Sequence, residues 1–199
     1  MQIPPRPVPP LNAPTNLTIP PLGPDGSRIT VNSNLSTAQA VWNLRSGLNV
    51  AALNCLSPEH APILARYGAL LKDHAKSLKA ANAELDKTFR SQHGPKFIPI
   101  RETYQTQVYN YFALPPVMPA FCNAALALST ELGAVPVGQL ESFAPGGLAK
   151  LDTVFREFFN SYDQYRSDLA VWEMRYGGGP ALQISAAPVM PLVARDVVK

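Results

Sequence analysis

Residues 58–90 read PEHAPILARYGALLKDHAKSLKAANAELDKTFR, and within them Leu64, Tyr67, Leu71, His74, Leu78, Ala81 and Leu85 follow one another at alternating intervals of three and four, with Phe89 closing the series. A helix places all of these on one stripe, and the spacing is held for roughly four heptads. A helix this long cannot bury its stripe alone. The sequence supplies a partner near its other end, where Leu148, Leu151, Phe155, Phe158, Tyr162, Tyr165, Leu169, Trp172 and Tyr176 keep the same alternation until Gly177-Gly178-Gly179-Pro180 ends it. The expected fold is therefore all-α: a bundle of about five helices in which residues 58–90 and 148–176 form two long antiparallel rods packed at a shallow angle.

Shorter helices fill in the rest. Ser36 with Gln39 three residues later forms a capping box, so the first helix begins there and carries Val41, Leu44, Leu48, Ala51 and Cys55 as its stripe. A third helix opens near Pro99 and runs to Ala113, with Ile100, Tyr104, Val108 and Tyr111 inward. The fourth, about 117–133, carries Met118, Phe121, Ala125, Leu128 and Leu132, with Cys122 beside them. Residues 134–147 read as a Pro- and Gly-bearing connection holding at most one helical turn. In domain terms, 1–35 is an extended Pro-rich leader, 36–179 the helical bundle and 180–199 an extended C-terminal tail.

Composition narrows the setting. The chain has 199 residues, a net charge of +3 and 16% charged residues, a balance too weak to point to nucleic acid. No apolar run is long enough for a transmembrane segment, and the N-terminus has no apolar stretch that would read as a signal peptide. Of the 21 prolines, most of those outside the bundle crowd the leader, as in the polar leaders of many mature exported domains. Cys55 and Cys122 lack the spacing of zinc or thioredoxin sites. A disulfide between them would close a loop of about 67 residues and contribute about 4 kcal/mol in the chain-entropy model; two separate buried thiols are the alternative. A bridge requires an oxidising compartment. The expected location is periplasmic or secreted, with a native signal peptide removed, and the cytoplasm is the alternative.

The run Trp42-Asn43-Leu44-Arg45-Ser46-Gly47-Leu48-Asn49-Val50-Ala51-Ala52-Leu53-Asn54-Cys55, followed by the long helix and by Phe121-Cys122, resembles a set of uncharacterised exported helical proteins of sphingomonad-type alphaproteobacteria. That group carries no assigned activity. The resemblance implies export and the cysteine pair, and it brings no catalytic residue.

The chemistry of the chain points to binding. His60 and His74 lie about 21 Å apart along one helix and cannot share a metal, and ExxH, HExxH, CxxCH and GxSxG are all missing. Gly146-Gly147 and Gly177-Gly178-Gly179 lack the lysine and spacing of a phosphate loop. Lys72, Lys76 and Lys79, interrupted by Asp73 and Glu84, read as a solvated helix face. No metal, cofactor or catalytic residue is expected. The expected function is non-catalytic binding of a protein partner or envelope component. The alternative is a carrier of a small apolar or aromatic ligand, held where Tyr67 and His74 of one rod would meet Tyr162, Tyr165 and Trp172 of the other.

Overall fold

A computed structural model describes residues 3–177, and the C-terminal tail assigned to 180–199 lies outside them. The described residues hold six α-helices: α1 (Thr37–Asn54), α2 (Pro62–Asp73), α3 (Ala75–His93), α4 (Ile98–Phe112), α5 (Met118–Leu132) and α6 (Leu140–Tyr176). They hold no strand beyond an isolated bridge between Leu22 and Arg28. The all-α bundle expected from the sequence is present.

Its centre is α1. Ser36 caps it as the sequence indicates, its side chain accepting from the Gln39 N–H while the Gln39 side chain accepts from the Ser36 N–H. Each of the other five helices packs on α1. Accordingly α1 is buried nearly all round, with Ala40, Val41, Leu44, Leu48, Val50, Ala51 and Ala52 in the core. A helix without a polar face belongs inside a domain. Gly47 lets two neighbours close on it at once: a Cβ there would stand 3.2 Å from both Leu151 of α6 and Phe112 of α4. Phe112, Phe121 and Phe155 meet beside this point with ring centroids 5.5 to 5.7 Å apart, each pair adding about 0.5 to 1.5 kcal/mol beyond its buried area.

Three expectations are corrected. The rod over 58–90 is broken: a 3-10 turn occupies Pro58–His60, and α2 and α3 meet at His74, whose φ of −108° and ψ of 20° are not helical. The break lets α2 lie against α1 and α5 while α3 turns onto α1 and α4, which a straight rod could not do. The principal partners of α6 are α1 and α5, so the two long segments do not form the expected antiparallel pair. Finally, α6 starts at Leu140, eight residues before 148, and runs through Pro145 and Gly147. Proline costs only one backbone bond in this second turn, and Gly147 has Phe143 and Leu128 where a Cβ would sit.

The buried face of α2 is also rotated, and one residue of α4 is misplaced. On α2 the buried residues are Ile63, Tyr67 and Leu70, a stripe with the same three-four alternation as Leu64, Tyr67 and Leu71. Leu64 and Leu71 therefore point out, 62% and 39% exposed. On α4, Tyr104, Val108 and Tyr111 face the core as expected, Phe112 joins them, and Ile100 alone of the expected set is exposed.

The leader lies along the bundle, antiparallel to α6. The Trp172 indole N–H donates to the Pro4 carbonyl (2.8 Å), Arg6 pairs with Glu173 (2.6 Å), and Arg166 donates to the Leu17 carbonyl (2.6 Å). Further on, Arg28 reaches Asn160 and Asp163, and Asn32 reaches Asp152. The turn at Gly23-Pro24-Asp25-Gly26 is present, with the Gly26 N–H donating to the Gly23 carbonyl and Gly26 at a φ of 77° that favours glycine.

Candidate functional site

The five residues expected to line an interior pocket are not gathered. Tyr67 is buried on α2 beside Arg45, whose guanidinium lies 5.9 Å from its ring centroid. His74 is buried at the α2–α3 break. Tyr162, Tyr165 and Trp172 lie on α6 against the leader, where Tyr162 and Tyr165 stack edge to face at 5.5 Å. No ring contact or hydrogen bond joins the two groups among the described residues. The physical reason is the pairing of α6 with α1 and α5. The polar tips that were to face a ligand meet the leader instead: the Tyr162 hydroxyl donates to the Pro14 carbonyl (2.5 Å) and accepts from the Leu17 N–H (3.1 Å). Cys55 and Cys122 do come together, their sulfurs 2.01 Å apart, at disulfide distance. Beside Cys122, the Asn123 side chain bonds the Nε2 of buried His60 at 2.9 Å.

A polar cluster that the periodicity did not single out lies where the leader, α1, α4 and α6 converge. At its centre Asp152, one of the buried residues of α6 and only 2% exposed, accepts from the Tyr111 hydroxyl (2.6 Å), the Asn32 side-chain amide (3.1 Å) and Nε of Arg156. Asn32 in turn accepts from Asn43 (2.9 Å), which accepts from the Tyr104 hydroxyl (3.0 Å). A buried carboxylate is stable only when its oxygens are satisfied, and here both are. Burial, reinforced by the Asp152 charge, pushes the Tyr111 phenol far above its ordinary value. Burial likewise pushes Tyr104 up to about 12, against the opposing hydrogen bonds of Asn43 and Gln39. The hydrogen bond to Asp152 raises the Arg156 guanidinium further, so Arg156 stays charged.

Two clefts open on either side of Arg156. One, of about 460 Å³, is lined by Leu35, Ala40, Pro145, Leu148, Asp152 and Arg156 among others; the second, of about 350 Å³, lies under the Gly23–Asn34 turn and includes Asp25 and Asn32. The signal for this site was in the sequence as an acid inside an otherwise apolar helical stripe: Asp152 stands next to Leu151, one turn before Arg156.

A different feature marks the outer surface of α2. Between Ala61 and Leu71 its exposed positions are Ala61, Pro62, Leu64, Ala65, Gly68, Ala69 and Leu71, with no charge among them. Leu53 and Leu56, at the adjoining end of α1, are 65% and 81% exposed. Lys72, Lys76 and Lys79 are exposed, as a solvated face requires.

No family model, curated protein or solved structure matches the chain. Among the described residues no single helix is long and apolar enough to cross a membrane.

Proposed function

We propose that this protein works by binding, and that its target is a protein partner or envelope component docked on the outer face of α2. The observation that carries this reading is the unpartnered apolar face itself. Leu64 and Leu71 share one side of α2, the fully exposed positions between them, Ala65, Gly68 and Ala69, are uncharged, and Leu53 and Leu56 add exposed apolar side chains just before the helix. Scattered apolar side chains on a surface need no explanation, whereas a contiguous face marks an interaction site. Export fits the cysteine pair at disulfide distance, because such a bond persists in an oxidising compartment. An interior aromatic carrier pocket has less support, since Tyr67 and His74 make no contact with Tyr162, Tyr165 or Trp172 among the described residues.

The test is a photo-crosslinking side chain placed at position 64 of the full-length protein in its native cells. The expected result is a discrete adduct that disappears when Leu71→Glu is added and does not form from position 79. Recovery of the protein in the cytoplasmic fraction would reject export, and equal labelling from positions 64 and 79 would reject docking on the α2 face.

A further inference from the structure

The larger cleft beside Arg156 has the chemistry of a small-molecule site, and it shares no residue with the α2 face. Nε of Arg156 is committed to Asp152. Its two terminal nitrogens have no protein acceptor among the described residues, and its side chain is 41% exposed at the junction of the clefts. The acceptors around it, in contrast, are already engaged. Asp152 holds three donors, and the Asn32 side-chain oxygen holds Asn43. Thr37 brings the first turn of α1 to the same cleft, adding the positive end of its dipole. What distinguishes this cleft is therefore a charged guanidinium with donors to spare, and its complement is an anionic acceptor.

The apolar part of the lining is Leu35, Ala40, Pro145 and Leu148. A volume of about 460 Å³ falls in the range of small-ligand sites. Each cleft has a carboxylate in its wall, but Asp152 is paired with Arg156, whereas Asp25 of the second cleft bonds only Ser27 and has no cation within salt-bridge distance among the described residues, which makes that cleft the poorer place for an anion.

We propose that the cleft between residues 32–40 and 145–156 binds a small organic carboxylate, with the carboxylate on the free edge of Arg156 and the apolar body against Leu35, Ala40, Pro145 and Leu148. Planar guanidinium and carboxylate groups match in this geometry. Asp152 is the positioning residue: it fixes the guanidinium by one nitrogen and leaves the remaining edge to the ligand.

The test is calorimetric titration of the full chain with benzoate and hexanoate, alongside benzamide and hexanamide as uncharged counterparts of similar shape. Saturable binding of at least one carboxylate is expected, with its amide weaker by about tenfold to a hundredfold. Arg156→Gln should remove the preference for the carboxylate. Because that change leaves Asp152 short of a partner, Ala149→Trp provides the second arm: Ala149 is exposed and lines the cleft, so the indole fills the cleft while the Asp152 cluster stays intact. Helical circular dichroism unchanged with carboxylate binding lost in Ala149→Trp supports the site. No saturable carboxylate binding, equal binding of acid and amide, or full binding in a folded Ala149→Trp variant overturns it.

Discussion

Arg28 and Asp163 meet at 2.6 Å across 135 residues of chain, and through them the leader is anchored to the middle of α6. The Arg28 side chain is almost wholly buried over the Phe159 ring, at 5.8 Å from its centroid, and also donates to the Pro20 carbonyl and to Asn160. One arginine thus ties three leader and helix groups into a single contact. The leader is part of the folded domain, with Ala13 in its core.

Arg28→Ala should cost about 2 kcal/mol, the loss of charge-assisted hydrogen bonds to a partner that water can reach. Urea unfolding measures that loss, and limited proteolysis measures the leader directly. Faster cleavage between residues 3 and 33 is expected, while unchanged protection would refute the anchoring role.

Gly47 reports on the closeness of α1 to α4 and α6. Gly47→Val should destabilise by about 3 kcal/mol through overpacking against Leu151 and Phe112. Gly47→Ala should lie much nearer neutral, since a gain of about 1 kcal/mol in helix propensity offsets a milder contact. Equal urea midpoints for the valine variant and the parent protein would show that the helices yield at this point.

The cysteine pair makes a direct chemical prediction. Thiol titration of the unfolded, unreduced protein should find no free thiol among Cys55 and Cys122. The double Cys→Ala variant should be less stable by about 4 kcal/mol, the chain-entropy value for this separation. Two free thiols per chain would remove the bridge and the argument for export that rests on it.

Stability should fall in alkali. Tyr104 has a folded-state pKa raised from 10.0 to about 12, and Tyr111 is raised as well. A raised pKa means that the folded state keeps its proton where the unfolded state loses it, so this stability is fully present below pH 10 and is lost as pH rises. For Tyr104 the loss between pH 10 and 12 amounts to about 2 to 3 kcal/mol. Urea midpoints taken from pH 9 to 11.5 should decline in the parent protein and decline less in Tyr104→Phe. Parallel curves for the two would contradict the assignment.

Local signals were legible wherever local chemistry decides the outcome. The capping box of Ser36 and Gln39 starts α1, Gly94 at a φ of 71° follows α3, and the stripe of Leu78, Ala81, Leu85 and Phe89 faces inward. Periodicity marks which residues share a helix face, and the chain obeys it. It does not name the partner of that face. On α2 two overlapping stripes have the same spacing, and only docking against α1 and α5 selects Ile63, Tyr67 and Leu70 and turns Leu64 and Leu71 to solvent. The central role of α1 was present in the sequence as a lack of charge, Arg45 being the one charged residue between Thr37 and Asn54. The break at His74, the path of the leader and the meeting of Asn32, Tyr111, Asp152 and Arg156 were decided by tertiary packing. Each joins segments far apart in the chain, and such contacts form only where burying one surface against a particular other outweighs the entropy of ordering both.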